Sequence, residues 1–316
     1  MMNTKIRKIL IVGFGDIGRR VADKLAASRH QSMVALMRRA PPIGTPPRDA
    51  RVEVVRGDLS RRRSLEKLYG IAETVLHFAP PPSRGKVDTH TQNLLSALQP
   101  QQRGRPLATT FARAPMLPRR IVYISTTGVY GNCMGEWIDE SRPLKAESAR
   151  AKRRVDAERR LQKWGRLNGV AITVLRAPGI YAEDRLPIER IRRGIPALMR
   201  DEDGFTNHIH ADDLANAAIL AMKQQWPKRF RVFNVVDDSR LLMGDYFDLL
   251  ADAFRVARPP RVSRREAEAQ ISPMQLSFMR ESRRIGNARI KRELAWSMRY
   301  PSVQQFLAES ACDQKI

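Results

Sequence analysis

The chain has 316 residues, 42% of them hydrophobic, and it carries a formal net charge of +24 at pH 7. No apolar run approaches the length of about 18 residues that a membrane span needs. Two cysteines, Cys133 and Cys312, are too few for a disulfide framework or a cysteine-rich metal site. Residues 1–8 lack the apolar core of a signal peptide, so we expect a cytoplasmic protein.

Basic residues outnumber acidic residues by 57 to 33 and are scattered along the whole chain rather than gathered in one arm. A positive field of this kind attracts phosphate groups, whether they belong to a nucleotide or to a nucleic acid. Aromatic residues make up only 6% of the chain and do not alternate with the basic pairs, as a base-stacking surface requires. We therefore expect mainly solvated surface charges and a small-molecule partner rather than a nucleic acid.

Short apolar runs alternate with longer amphipathic stretches, a pattern that predicts βαβ units around a parallel sheet. In chain order the predicted elements are a strand at 9–12, a helix at 16–27, strands at 33–37 and 52–55, a helix at 60–69 capped by Ser60, a strand at 74–78, a helix at 88–98, a strand at 121–125, a helix at 148–168, a strand at 172–175, a helix at 211–222, a strand at 232–236 and a helix at 243–254. Stretches rich in proline and glycine predict loops at 40–49 and 99–119.

The fold class that follows is α/β, a Rossmann-type doubly wound parallel sheet with a smaller, mostly helical C-terminal substrate lobe. The dinucleotide-binding domain is expected to span 1–177, with 210–236 returning to it. The substrate lobe is expected to contain 178–209 and 237–316. The polar segment after the proline pair at 259–260 predicts helices at the periphery of this lobe.

A Gly-x-Gly-x-x-Gly turn, formed by Gly13, Gly15 and Gly18, follows the first strand and opens the first helix. The first glycine permits the tight turn, the second lets a pyrophosphate approach the backbone, and the third allows close packing of helix and strand. The N–H groups at the start of the helix, where Asp16 and Ile17 lie, suit phosphate binding. The sequence therefore predicts a nicotinamide dinucleotide site.

The end of the second strand indicates which dinucleotide is bound. An acidic residue there holds the ribose 2′-hydroxyl of NAD, but this chain has Arg38 and Arg39, whose guanidinium groups suit the 2′-phosphate of NADP. We therefore expect NADP, with NAD possible, unless both arginines are solvated loop charges. Asp58, followed by Leu59, comes directly after the third strand. The Asp58 carboxylate either reaches the adenine amino group of the cofactor or serves only as a turn residue.

Four further sequence motifs follow the glycine turn. In chain order they are His77-Phe78-Ala79, Ser-Thr-Thr-Gly-Val-Tyr-Gly at 125–131, Leu-Arg-Ala-Pro-Gly-Ile-Tyr at 175–181 and Ile-His-Ala-Asp-Asp-Leu at 209–214. In this order they resemble the extended short-chain dehydrogenase/reductase family, the NAD(P)-dependent epimerases and dehydratases. The resemblance implies that His77 and Ala79 lie beside the nicotinamide ribose. It also implies that Thr126 holds a substrate oxygen, unless its hydroxyl only bonds to backbone.

The chain departs from this family at the proton donor, which is a tyrosine four residues before a lysine. Lys152 matches the lysine, but Ser148 stands where the tyrosine belongs, and a serine hydroxyl is shorter and far less acidic than a phenol. Because it keeps the glycine turn but has no tyrosine at this position, the chain resembles the YeeZ-like group, whose members share both features. The resemblance places Lys152 at the nicotinamide ribose, unless it is one more solvated base. Tyr181, Tyr130 or His208 would then supply the missing acid.

Four residues are candidates for contact with the substrate: Tyr130, Asn207, His208 and Arg283. Arg283 and Arg284 occupy a region where related epimerases place arginines against a nucleotide-sugar diphosphate, unless they are solvated. We expect His208 to be exposed and to titrate near pH 6.5. We expect His210 to be a neutral ring that joins two loops. No carboxylate or cysteine stands near these histidines at metal-ligand spacing, so a zinc site is not expected.

Three functions remain open at this point. The first is an NADP-dependent enzyme of the epimerase/dehydratase type that acts on an anionic small molecule. The second is a catalytically silent dinucleotide-binding module that senses the cofactor or serves as a scaffold. The third is a nucleic-acid-associated basic protein, whose binding would fall steeply with salt.

Overall fold

The structure, a computed structural model, describes residues 7–27, 31–39, 52–100, 117–225 and 229–313. The elements of the first half are β1 (Arg7–Val12), α1 (Asp16–Ala26), β2 (Gln31–Met37), β3 (Val52–Arg56), a 3₁₀ helix (Arg62–Leu68), β4 (Thr74–His77), α2 (Thr89–Ala97), β5 (Arg120–Thr126), a 3₁₀ turn (Thr127–Tyr130), β6 (Trp137–Ile138) and α3 (Ala149–Asn168). The predicted loop at 40–49 lies outside the described residues, as does most of the loop at 99–119.

The elements of the second half are β7 (Ala171–Ala177), β8 (Gly179–Tyr181), α4 (Ile188–Arg192), β9 (Ala197–Leu198), β10 (Phe205–Thr206), β11 (His208–His210), α5 (Ala211–Lys223), β12 (Phe230–Asn234), β13 (Leu241–Leu242), α6 (Met243–Ala253), β14 (Arg261–Val262), α7 (Arg264–Gln270), α8 (Pro273–Met279), β15 (Arg284–Ile285), α9 (Ala288–Leu294) and α10 (Val303–Asp313). Within the described residues, no helix is long and apolar enough to cross a membrane.

Seven strands form one sheet in the order β12-β7-β5-β4-β1-β2-β3. The pairs β2–β3, β1–β2, β1–β4 and β4–β5 are parallel. Leu10, Ile11 and Val12 of the central strand have no exposed surface, as the continuous apolar run of a doubly covered strand predicts. The order is that of a Rossmann fold with a seventh strand added, and it confirms the predicted α/β class.

The chain divides into two compact units. The first contains the described residues up to Ser125 with Lys152–Leu175 and Ala215–Val232, and the second contains Thr126–Ala151, Arg176–Leu214 and the described residues from Phe233 onward. Residues 126–151 therefore group with the second unit, whereas the division expected from the sequence placed them in the dinucleotide-binding domain.

The first unit packs its helices through apolar side chains that recur every three or four residues. Helix α1 buries Ile17, Val21 and Leu25, which form one stripe of an amphipathic helix. Helix α3 contributes Leu161 and Trp164 to the same apolar cluster as the strand side chains. The glycine turn is therefore held between a buried strand and a firmly packed helix.

The second unit has its own core, which includes the C-terminal segment. Tyr300 and Phe306 belong to this core and are almost fully buried. The buried Asp213 carboxylate accepts the backbone N–H groups of Arg299 at 2.7 Å and Tyr300 at 3.0 Å. The prediction of peripheral C-terminal helices is therefore wrong, because polar residues dominate the segment's composition while a few aromatic residues anchor it.

Several predicted elements differ from those observed by about two residues at their ends, and one differs in type. The helix expected at 60–69 is a 3₁₀ helix that begins at Arg62, and Ser60 does not cap it. The N–H and hydroxyl of Ser60 instead bond to the Asp58 carboxylate at 2.9 and 2.8 Å. Strand β12 begins at Phe230 rather than at residue 232, because backbone pairing sets its start: Ile172 N–H already bonds to the Arg229 carbonyl at 2.7 Å.

Candidate functional site

The glycine turn follows β1, where the strand order reverses between β1 and β4. Open α/β sheets bind ligands at this reversal. Gly13 has a φ of +95°, and a Cβ added to it would lie 2.4 Å from the backbone nitrogen of Ala79. A Cβ on Gly18 would lie 2.8 Å from the Gly13 carbonyl oxygen. The fold itself therefore requires the first and third glycines.

Gly15 is different, because the fold does not require it. No atom of the described residues lies within 4 Å of a Cβ built on Gly15, and its φ is −89°. Gly15 is the N-cap of α1, and no side chain caps that helix. The space therefore suits a phosphate on the helix N-terminus. Asp16 and Ile17 can contribute only their N–H groups, because the Asp16 carboxylate binds Arg20 at 2.8 Å and the Ile17 side chain is buried.

Arg38 and Arg39 follow β2, and both are exposed. Hydrogen bonds from the N–H and hydroxyl of Ser60 hold the pKa of the Asp58 carboxyl below its usual value, and the charge of Arg38 lowers that pKa further. Arg38 and Asp58 follow the neighbouring parallel strands β2 and β3. The residues predicted to contact the ribose and the adenine therefore both lie at the carboxyl ends of these strands. Leu59 is buried in the core, which leaves only its backbone for a ligand.

His77 ends β4 beside the segment that packs on Gly13. Its Nε2 lies 2.9 Å from the Thr91 Oγ1, and the Thr91 hydroxyl donates to Asp88 at 2.9 Å. Because that hydroxyl proton is committed to Asp88, we assign the ring proton to Nε2. Nδ1 is then an acceptor, and it makes no hydrogen bond within the described part of the chain. Burial lowers the pKa of His77 to about 3, so the ring is neutral.

The basic side chain of α3 that reaches the sheet is Arg154 rather than Lys152. Lys152 is exposed. Arg154 Nη1 donates to the Ile124 carbonyl at 2.8 Å and lies 3.0 Å from the Tyr123 hydroxyl. Helical spacing explains the difference: Arg154 stands four residues before the buried Glu158, on the same face, whereas Lys152 points away from that face. Sequence reasoning missed Arg154, although this spacing was readable from the sequence.

Thr126 and Ser148, both in the second unit, are partly exposed residues. Thr126 Oγ1 accepts the Gly128 N–H, and Ser148 Oγ accepts the Ala151 N–H, each at 3.2 Å. A Cβ on Gly128 would lie 3.6 Å from Thr126 Oγ1 and 3.8 Å from the Ala151 Cβ. The structure thus brings the strand end and the helix start together, and Ser148 acts as a helix-capping hydroxyl.

The two tyrosines expected to replace the missing acid are both 1% exposed. The Tyr130 hydroxyl donates to Asn234 at 2.7 Å and accepts from Arg176 at 2.9 Å. Burial raises the pKa of both the Tyr130 and the Tyr181 phenol. A proton donor that works near neutral pH needs the opposite shift, so these phenols are poorly suited to the role.

The prediction that His208 is exposed is wrong. Its side chain is 5% exposed, its ring centre lies 4.1 Å from that of Tyr246, and burial lowers its pKa to about 3. The prediction failed because polar neighbours in the sequence do not reveal the pairing of β11 with β8. His210, also in β11, is fully buried with its ring 4.3 Å from that of Tyr300.

Asn207 and Arg283 hold backbone within the second unit. Asn207 donates from Nδ2 to the Arg283 carbonyl at 2.9 Å and accepts the Ile285 N–H at 3.2 Å. Arg283 Nη1 donates to the Gly131 carbonyl and to Glu281, each at 2.8 Å. Across the described ranges, no three His, Cys, Asp or Glu side chains are grouped as metal ligands.

The sheet order, the glycine turn at the strand reversal and the uncapped helix behind it define a Rossmann-type dinucleotide-binding protein. The model of the NAD dependent epimerase/dehydratase family matches residues 9–235. The chain therefore belongs to this family, as the motif resemblance predicts.

Individual relatives agree with this assignment. A dTDP-glucose 4,6-dehydratase from Streptomyces antibioticus is 25% identical over 226 residues, which cover 68% of this chain and 64% of that protein's length. A functionally unknown conserved protein from Silicibacter pomeroyi is 25% identical, with a TM-score of 0.74 over 98% of this chain and 100% of that one. UDP-glucose 4-epimerase from Thermotoga maritima, solved with UDP-glucose, shares the fold at 18% identity, with a TM-score of 0.71 over 98% of both chains.

Proposed function

We propose that the chain binds NADP through its first unit and uses it in oxidoreductase chemistry on a small anionic molecule. The observation that carries this proposal is Gly15, a glycine with open space around it at the N-terminus of α1. Nothing in the fold demands a glycine there, whereas a pyrophosphate that approaches the backbone does.

The residues that would hold the cofactor follow from the strand ends. The turn at 13–18 would bind the pyrophosphate, Arg38 and Arg39 the 2′-phosphate, and Asp58 the adenine amino group. The segment at 77–79, whose backbone packs on Gly13, would lie beside the nicotinamide ribose, with His77 as a buried neutral ring behind it. A bound nicotinamide supplies hydride transfer.

Arg154 takes over the role that the motif resemblance gives to Lys152. Its guanidinium donates to the Ile124 carbonyl, two residues before the end of β5, whereas Lys152 is exposed. A fixed positive charge at this strand end stabilises negative charge that develops nearby. We expect Arg154→Ala to weaken cofactor binding at least tenfold and Lys152→Ala to change it by less than twofold. The opposite order would restore the assignment of Lys152.

The second part of the proposal concerns proton transfer. With Ser148 at the position of the helix tyrosine, the chain fits the YeeZ-like members of the family, which lack that tyrosine. Ser148 caps α3, and both candidate phenols have raised pKa values. Thr126 Oγ1 accepts the Gly128 N–H, which leaves its own proton for a substrate oxygen. We therefore propose that Thr126 orients the substrate hydroxyl and that the proton is exchanged with water.

Calorimetric titration of Arg38→Asp tests the cofactor choice. We expect this variant to bind NADP⁺ at least tenfold more weakly and NAD⁺ at least as tightly as the unmodified protein, because the new carboxylate repels a 2′-phosphate and suits a 2′-hydroxyl. Arg159→Asp is the matched control, an equal charge reversal at an exposed position of α3. Equal losses in both variants would mean that only the general positive field matters.

A catalytically silent dinucleotide-binding module is the second candidate, and the capping role of Ser148 favours it. On this account the protein binds NADP without reducing any carbonyl compound. Ser148→Tyr separates the two candidates. Reductase activity in this variant, and none in the unmodified protein, would support the silent module. Turnover by the unmodified protein that is lost in Thr126→Ala would support the enzyme.

A further inference from the structure

The net positive charge of the chain lies on the first unit. Among its described residues, this unit contains 26 lysines and arginines against 9 aspartates and glutamates, a net charge of +17. The described residues of the second unit contain 22 basic residues against 23 acidic ones and are nearly neutral. The basic residues look evenly scattered in the sequence because segments of the two units alternate along the chain. Such an asymmetry favours a polyanionic partner for the first unit.

The outer face of α3 carries a row of positive side chains, which we name the α3 stripe. Its four exposed members are Lys152, Arg159, Lys163 and Arg166. Their spacings of seven, four and three residues place them on one side of the helix. At a rise of 1.5 Å per residue, the row is about 21 Å long. Within the described part of the chain, none of the four forms a hydrogen bond or an ion pair. All four are therefore available to a ligand.

Neither α3 nor the neighbouring helix α2 supplies an acid that neutralises the α3 stripe. Helix α3 contains two acids, of which Glu158 is buried. The other, Asp156, accepts the Arg160 Nε at 2.7 Å and the Asp88 N–H at 2.8 Å. Asp88 is itself buried as the N-cap of α2, and the residues of α2 include no acid. The charge of the stripe is thus uncompensated on this face of the first unit.

The side chains of this face indicate which polyanion binds there. Protein partners need apolar and aromatic anchors, but the exposed large apolar side chain of α3 is Leu167 alone, at the helix end. Trp164 is packed in the core, so α3 offers no ring on which unpaired bases could stack. Lysine and arginine donate hydrogen bonds but accept none, so the stripe has no acceptor for the 2′-hydroxyl groups that distinguish RNA. The phosphate groups of duplex DNA fit all three properties.

We propose that the α3 stripe binds the phosphate backbone of duplex DNA without base specificity. Along about 21 Å of its axis a DNA duplex presents about 12 phosphates, one for each 1.7 Å, so each of the four cations can meet one. Every such contact releases condensed counterions and contributes about −0.9 to the slope of log K against log salt concentration, or about −3.6 for four contacts. This inference departs from the expectation of a small-molecule partner alone, which rests on the scatter of the charges along the sequence. It does not depend on a bound dinucleotide.

Fluorescence anisotropy of a labelled DNA duplex of about 20 base pairs, titrated with the full chain at several salt concentrations, tests the proposal. The informative variant combines Arg159→Ala, Lys163→Ala and Arg166→Ala. We expect it to bind the duplex at least about tenfold more weakly than the unmodified protein, with a slope shallower by about 2.7. Lys152 is left unchanged because the motif resemblance links it to the nicotinamide ribose. If the unmodified protein did not bind the duplex at about 50 mM salt, the proposal would be overturned.

The second unit supplies the matched control. Three of its exposed arginines are Arg192, Arg193 and Arg265. Their combined replacement by alanine removes the same charge and should change the affinity for the duplex by less than about twofold, because contacts with phosphate and not net charge alone set the affinity. Equal losses in the two triple variants would overturn the assignment of the stripe. Urea unfolding should give both variants the stability of the unmodified protein, since all six side chains are exposed.

Two other polyanions separate the alternatives. We expect poly-L-glutamate to compete with the labelled DNA more weakly than unlabelled DNA does, and duplex RNA of the same length to bind no more tightly than DNA. Poly-L-glutamate that competes as well as DNA would identify a surface for an acidic protein and overturn the proposal, and tighter binding of RNA would overturn the choice of DNA. NADP⁺ affinity should be the same in both triple variants, which separates this inference from the proposed function.

Discussion

Replacement of Gly15 by alanine distinguishes a glycine kept for a ligand from one kept for the fold. The backbone at Gly15 has a φ of −89° and a ψ of −151°, an extended conformation that alanine adopts, and the new Cβ meets no described atom within 4 Å. The main effect on folding is the poorer N-cap, which costs about 0.5–1 kcal/mol. The methyl group would, however, stand where the pyrophosphate approaches. Losing one charge-assisted backbone hydrogen bond costs about 1.5–3 kcal/mol, or roughly tenfold to a hundredfold in affinity.

Gly13→Ala is the matched control for that variant. Its Cβ would lie 2.4 Å from the Ala79 backbone nitrogen at a φ of +95°, so strain and overlap together should destabilise the fold by at least about 3 kcal/mol. Urea unfolding and calorimetry with NADP⁺ measure the two quantities separately. We expect Gly15→Ala to lose affinity while it keeps its stability, and Gly13→Ala to lose both. Unchanged NADP⁺ affinity in Gly15→Ala would refute the assignment of the turn to a phosphate.

Two further predictions concern stability. His77 and His208 are neutral in the folded protein, with pKa values of about 3 against 6.5 in the unfolded chain. Below pH 6.5 the unfolded chain therefore binds more protons, so stability should fall as the pH falls, by about 1.6 kcal/mol per histidine between pH 6.5 and 5. Urea unfolding should show a flatter pH dependence in His208→Gln, and an unchanged slope would contradict the buried state. Asp213→Asn weakens the bonds to the Arg299 and Tyr300 N–H groups and should lower the free energy of unfolding by about 2–4 kcal/mol. A loss below 0.5 kcal/mol would show that these bonds are weak.

The glycine turn was predictable from the sequence because the interactions that form it join residues close together in the chain. A buried strand, Gly13 in a tight turn and an amphipathic helix beginning at Asp16 each have short-range signatures, and all three occur where the pattern predicts them. The parallel, doubly wound class of the sheet followed from the same alternation of apolar runs and helices. Arg38 and Asp58 were located by their positions after β2 and β3.

The second unit was less predictable because burial there depends on long-range packing. His208 has polar neighbours in the sequence and is nevertheless enclosed by Tyr246 and Tyr181. The C-terminal segment has a polar composition, yet Phe306 lies in the core. The contact of Arg154 with the sheet depends on its position on the inner face of α3, which a motif match by residue type overlooks and helical spacing makes readable.

Calorimetric titration of the unmodified protein with NADP⁺ and NAD⁺ tests the central claim most directly, because every cofactor assignment in the first unit depends on a bound dinucleotide. We predict saturable binding at one site per chain, tighter for NADP⁺ than for NAD⁺ because of Arg38 and Arg39. Only heats of dilution with both dinucleotides would contradict the claim.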